Sequence, residues 1–94
     1  PYSAAAWYNL GIVYNKLGQF EDALNAYDYA VTVDDTFASA YFNMGNTYMN
    51  LAQYTKALDS FKKTIDIEGP SAEVYCSIGA AYESLEQFDL GLKY

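Results

Sequence analysis

The sequence predicts an all-α fold, a stack of antiparallel helical hairpins, and three observations carry that prediction. The segment at 7–14, WYNLGIVY, returns twice: Gly11, Gly45 and Gly79 line up, with Leu10, Met44 and Ile78 before them and Tyr14, Tyr48 and Tyr82 after. The spacing is roughly 34 residues, the length of one two-helix repeat. A second set of columns keeps the same register, in which Leu17, Leu51 and Leu85 recur with Gln19, Gln53 and Gln87 and with the aromatics Phe20, Tyr54 and Phe88. Within each unit the apolar residues step by three and four positions, as Trp7, Leu10, Gly11 and Tyr14 do, and so occupy one stripe of a helix.

In chain order, Ser3 offers an N-cap to a first helix over 4–17, whose stripe is expected to be buried. Gly18 suits the helix stop, Gln19 and Phe20 the turn, and Glu21 with Asp22 the positive end of a second helix that runs to 33. Ala23, Leu24, Tyr27, Ala30 and Val31 form its apolar face, and Asp34 and Asp35 close the unit. The second unit predicts helices over 38–51, with Tyr41, Met44, Gly45 and Tyr48, and over 55–67, with Ala57, Leu58, Phe61 and Ile65. Gly69 and Pro70 end it, because proline lacks a donor and glycine accepts the left-handed conformation of a helix end. In the third unit Ser71 can cap a helix over 72–85 that carries Tyr75, Ile78, Gly79 and Tyr82. A turn and a short helix over 89–94, about 9 Å long, are expected to follow. The units are thus 4–37, 38–71 and 72–94, one array whose last hairpin is cut short. Gly11 with Ala23, Gly45 with Ala57 and Gly79 with Gly91 are expected to let paired helices approach closely. The large residues Trp7, Tyr14, Tyr27, Tyr41, Tyr48, Phe61, Tyr75 and Tyr82 are expected in the core.

Composition narrows the function. With 94 residues, 52% of them hydrophobic and 18% aromatic, there is material for one small domain or a short stack. No apolar run approaches the roughly 18 residues of a membrane span, so no membrane partner is expected. Five basic residues, all lysine, stand against 12 acidic ones for a net charge of -7. Without arginine and with that balance, phosphate neutralisation and guanine readout are poorly served, and nucleic acid is excluded as a partner. The chain starts at Pro1 without a charged and apolar leader, and reads as a piece of something longer. Cys76 is the single cysteine, with no intrachain disulfide open to it and no nearby cation to activate it, so inert packing is expected. The cytoplasm is the default setting.

Catalysis finds little support. There is no histidine, which removes the usual general base, the usual metal ligand and the Ser-His and Cys-His nucleophiles. Glu21/Asp22 and Asp34/Asp35 fall at helix boundaries, where acids cap helices or face water, and no calcium loop is present. The glycines are spaced by a repeat and do not form a phosphate cradle. No cofactor, no metal and no enzymatic activity are expected.

The pattern W-x2-L-G-x2-Y, then A-x3-F and a closing proline, resembles the tetratricopeptide repeat signature. Trp7, Leu10, Gly11, Tyr14 and Ala23 match it, and Tyr27 takes the place of the phenylalanine that Phe61 supplies in unit two. Asp35 and Gly69 stand where proline is expected, with Pro70 one residue late. Ala52 and Glu86 replace the turn glycine seen at Gly18, and Thr64 replaces the small residue at Ala30. The resemblance implies a right-handed superhelical stack whose first helices line a concave groove for an extended peptide or a partner helix. By position the groove receives Tyr8, Asn9, Ile12 and Asn15 from unit one, Phe42, Asn43, Asn46 and Met49 from unit two, and Glu73, Ser77, Ala80 and Glu83 from unit three. Ala5, Lys16, Ser39, Asn50, Cys76 and Ser84 fall on the same side.

A solvated face is normally richer in lysine and glutamate, so aromatic and amide residues there point to a contact surface; the alternative is that they, Tyr8 and Asn9 above all, serve helix packing alone. The resemblance extends to glycosyltransferase members of the family, whose asparagine ladder holds an extended peptide. Asn9, Asn43 and Asn46 would form such a ladder until Ser77 and Ala80 break it. Glu73 and Glu83 favour lysine or arginine, which makes the expected partner a neutral-to-basic protein or peptide. A well-known use of the family is clamping the acidic C-terminal tail of heat-shock chaperones with five polar residues. By position these are Tyr8, Ile12, Asn43, Glu73 and Ser77, of which only the asparagine is retained, so no such tail is expected to bind. The alternatives are an architectural spacer, self-association through the cut-short C-terminal end, and a regulatory segment of an enzyme.

Overall fold

The computed structural model describes residues 3–93, with side chains through Glu86. Its helices are α1 (Ala4–Lys16), α2 (Phe20–Val33), α3 (Ala38–Asn50), α4 (Tyr54–Glu68) and α5 (Ala72–Lys93). Packing is densest within the pairs α1/α2 and α3/α4, and is continued by α2 against α3, α4 against α5 and α3 against α5. The stack is therefore elongated, 50 × 29 × 17 Å.

The turns show why the hairpins close. Ser3 caps α1 through its Oγ, which accepts from the Ala6 N–H at 3.2 Å. At the other end Gly18 has φ +77°, Gln19 N–H donates to the Tyr14 carbonyl at 2.9 Å and Gly18 N–H to Asn15 at 3.1 Å. That pair of bonds is the Schellman arrangement, which satisfies carbonyls the helix leaves open. Unit two repeats it with Gln53 to Tyr48 at 2.9 Å and Ala52 to Met49 at 3.1 Å, although Ala52 must hold φ +58° to do so. After α2, Asp34 Oδ1 accepts from the Thr36 N–H and hydroxyl at 3.0 and 2.6 Å, and these bonds hold its carboxyl below the usual range. The acid serves the boundary, as its position suggests. Gly69, at φ +88°, ends α4.

Unit three departs from expectation. In place of a turn and a new helix over 89–94, α5 continues through Glu86 to Lys93. Glu86 stands where Gly18 and Ala52 turn left-handed, and glutamate is both a good helix former and strained in that conformation. The expected pairing of Gly79 with Gly91 falls on residues whose side chains lie outside those described.

Two fully buried rings hold the paired helices together. Tyr27 and Phe61 are 0% exposed, each lying against a glycine of the partner helix. A Cβ on Gly11 would sit 2.5 Å from Tyr27 Cε1, and one on Gly45 would overlap the Phe61 ring. This corrects the expectation that glycine and alanine face one another: the glycine makes room for an aromatic ring. Around Tyr27 gather Ala23, Leu24, Ala30, Val31, Ala40 and Met44, and around Phe61 gather Ala57 and Val74. Thr47, also fully buried, donates its hydroxyl to the Asn43 carbonyl at 2.8 Å, so no donor is stranded.

The expected core holds in the middle of the array and is looser toward both ends, where Trp7 and Tyr14 are half-buried against it. Leu10 is 39% exposed, whereas its counterpart Met44 is 9% exposed. The face of α2 that covers Met44 has no equivalent before α1 among the described residues. Tyr75 and Tyr82 are 53% and 52% exposed, because among the described residues no second helix folds back over α5. Cys76, expected to pack inertly, is exposed.

Candidate functional site

Three first helices meet at one place. Tyr8 from α1, Ala38, Ser39, Phe42 and Asn43 from α3, and Glu73 and Val74 from the first turn of α5 line a cleft of about 200 Å³ together with Thr64, Glu68 and Ser71. Each arrives for a local reason. Tyr8 is pinned by ring contacts to Phe37 at 4.9 Å and Tyr27 at 5.9 Å. Phe42 leans on the buried Phe61 at 5.8 Å. Glu73 lies in the first turn of α5, where a carboxylate is favoured by the helix dipole. Glu68 is the last residue of α4, whose final turn holds no basic residue. A carboxylate there is disfavoured by the same dipole.

The polar centre of the cleft is the pair Asn43 and Tyr8, with Asn43 Nδ2 donating to Tyr8 Oη at 3.1 Å. Beside them lies the buried Tyr27 hydroxyl, which makes no hydrogen bond of good geometry although the Asn43 side chain is within interacting range. Burial first, and then Tyr8, push the Tyr27 hydroxyl above the ordinary phenol value, with the Asn43 amide acting the other way. The groups on offer to a ligand are thus two carboxylates, an amide carbonyl, hydroxyls and two aromatic walls. No lysine lines the cleft.

Of the residues expected in the groove, Tyr8, Phe42, Asn43 and Glu73 come together here. Ile12 and Met49 are half-buried and help cover the two cores, as do Tyr8 and Phe42. Asn46 and Asn15 are half-buried, the latter with its Oδ1 buried and unpartnered. Asn9, Ala80 and Glu83 are exposed, and Ser77 donates its hydroxyl to the Glu73 carbonyl at 3.2 Å. Sequence reasoning missed Thr64, Glu68 and Ser71. The late stop at Gly69 and Pro70 was the available signal, since it carries Glu68 to the very end of α4.

Larger openings lie elsewhere. One of about 570 Å³ sits between the turn at Ala52, Gln53 and Tyr54 and the residues Ser84 and Leu85. By the repeat geometry, a third turn at Glu86 would lie there. Another, of about 340 Å³, has Tyr41, Met44 and Tyr48 as its floor and Lys56, Asp59 and Lys63 at its rim. Lys56 Nζ lies 5.9 Å from the centre of the Tyr48 ring. Tyr48 is raised above the ordinary phenol value by burial, then by Asp28 and Glu21. Neither opening is shared by three helices of the array.

The sequence profile of the tetratricopeptide repeat matches residues 4–37 and 38–69. The chain belongs to the tetratricopeptide repeat family. No curated protein matches it. Among solved structures it is similar to a MamA protein at 33% identity and TM-score 0.87, covering 98% of this chain and 50% of that one. A second MamA structure aligns at 29% identity and TM-score 0.84, with 98% and 62% covered. The chain thus spans about half to three-fifths of those proteins. The first tetratricopeptide domain of Spaghetti (RPAP3), solved with the HSP90 peptide SRMEEVD, aligns at 20% identity and TM-score 0.85 over 93% of this chain and 69% of that one. That likeness shows the shared fold. The family's domains are protein-interaction modules, and no described helix is long and apolar enough to cross a membrane.

Proposed function

We propose that this tetratricopeptide array is a non-catalytic module that takes an extended peptide or a partner helix against the face formed by α1, α3 and α5. The observation that carries the reading is the convergence of Tyr8, Phe42, Asn43 and Glu73, from three successive first helices, on one cleft. Asn9, Ile12, Asn15, Asn46, Met49, Ser77, Ala80 and Glu83 extend the same surface. The partner is neutral to basic, because the acidic residues of the cleft have no lysine among them. The cytoplasm is the default setting for this reading. Partner capture by the chain and by Phe42→Ala and Asn43→Ala variants tests it. Loss of the same partners by folded variants supports the reading, and unchanged capture by both overturns it.

An acidic C-terminal tail of the SRMEEVD kind is not expected to bind. Glu73 and Glu68 would face its carboxylates, and the clamp positions Tyr8, Ile12 and Ser77 hold no cation. Calorimetry giving micromolar affinity for that peptide would contradict this.

A second reading, self-association, is favoured by a separate observation. Leu10, Val13 and Leu17 are exposed on α1, and Tyr75 and Tyr82 on α5. Those are the two end faces of the stack, and apolar ends of a repeat array stack readily unless capped.

A further inference from the structure

We infer that the cleft between Tyr8, Phe42, Asn43, Glu68 and Glu73 is a socket for a single arginine side chain of the bound segment. This deepens the proposed function and rests on that reading, but it concerns one subsite. At about 200 Å³ the cleft is smaller than the roughly 300–1,000 Å³ of small-molecule and cofactor pockets, and suits one long side chain entering from a peptide.

Charge decides which side chain. Glu68 and Glu73 both line the cleft, and no lysine joins them. The two carboxylates differ in a telling way. Glu73 lies in the first turn of α5, where a negative charge is stabilised. Glu68 ends α4, whose last turn has no basic residue, so its charge adds to the negative end of the helix. Nothing in the local architecture favours a carboxylate at that position, and a cation in the cleft would be stabilised by the carboxylate and the helix end together.

Geometry favours guanidinium over ammonium. Its planar fork carries five N–H donors, and its weaker hydration lets it lie against rings. The cleft is lined by groups that can accept from it: two carboxylates, the Asn43 amide, whose Nδ2 bonds Tyr8 Oη, and the hydroxyls of Ser39 and Ser71. Tyr8 and Phe42 supply ring surface on the walls.

The test uses the full chain labelled for amide NMR and two blocked peptides, Ser-Gly-Asn-Arg-Gly-Ser and the same peptide with citrulline for arginine. Citrulline keeps shape and most donors and removes the charge. The arginine peptide is expected to shift the amides around Phe42, Asn43 and Glu73 saturably, and to bind at least about tenfold more tightly than the citrulline peptide, the scale of one charge-assisted hydrogen bond. The double variant Glu68→Gln, Glu73→Gln, with both positions exposed, should keep its melting temperature and bring the arginine peptide down to the citrulline level. Equal binding of the two peptides at this face overturns the arginine socket and leaves the peptide groove standing. Shifts from neither peptide overturn both. Arginine-dependent binding that survives the double variant places the cation elsewhere and also overturns the inference.

Discussion

Gly11 and Gly79 occupy the same column of the repeat and have opposite surroundings, which makes them the sharpest test of what that column is for. An alanine at Gly11 would drive its Cβ into the buried Tyr27 ring, and overpacking of that kind costs about 1–3 kcal/mol. That exceeds the roughly 0.5–1 kcal/mol a helical alanine gains over glycine. At Gly79 the added Cβ would meet no other described part of the fold within 4 Å, so only the gain remains. Thermal unfolding should show Gly11→Ala destabilised and Gly79→Ala stabilised by about 0.5–1 kcal/mol. Tyr27 carries the second residue-scale prediction. Phe61 fills its place in unit two, and the Tyr27 hydroxyl is buried without a hydrogen bond of good geometry. Tyr27→Phe should therefore be neutral or stabilising by about 1 kcal/mol, the low end of the penalty for a stranded polar group. Asn43 is half-buried and bonded to Tyr8, so the alanine variant should lose roughly 0.5–1.5 kcal/mol of stability as well as ligand affinity. The sequence column of asparagines revealed the position and not the Tyr8 bond, because that contact spans two repeats.

At the scale of elements, the turn is the place where one residue decides between a hairpin and a straight helix. Gly18 takes φ +77° without strain, Ala52 is held at φ +58°, and Glu86 stays helical. The left-handed conformation costs an L residue roughly 1–2 kcal/mol. In unit two the burial of Phe61 and Leu58 against α3 and its neighbours offsets that cost. Ala52→Gly should therefore raise stability by about 1 kcal/mol, read as a higher denaturant midpoint at unchanged slope. The boundaries of α1 to α4 were legible within a residue or two from Ser3, Gly18, Asp34 and Gly69. The fate of α5 was not, since its columns at Leu85, Gln87 and Phe88 match the repeat while its conformation does not. Periodicity records which residues could pack in a hairpin, and whether they do depends on a partner surface.

For the molecule as a whole, the described residues are better covered in the middle of the array than at either end. Leu10, Leu17, Tyr75 and Tyr82 are exposed, and the self-association reading expects sedimentation coefficients that rise with concentration. Tyr82→Lys should return the chain to a monomer, and a strict monomer for the unaltered chain would remove that reading. Alkaline stability tests the core globally. Tyr27 and Tyr48 are both raised above the ordinary phenol value, which means the fold favours their neutral forms. Their contribution is fully present below about pH 10 and is lost as pH rises through the raised values. Unfolding curves should therefore weaken above about pH 10, and less so in Tyr27→Phe.

The sequence by itself determined the repeat, the order of α1 to α4 and the burial of Tyr27 and Phe61 between paired helices, because each follows from period and local turn chemistry. Only the tertiary structure decided which members of those columns are buried, that Asn43 is bonded to Tyr8, and that Glu68 joins Glu73 in one cleft. Those outcomes depend on neighbours in the next repeat, and equivalent residues have different neighbours at the middle and the ends of an array.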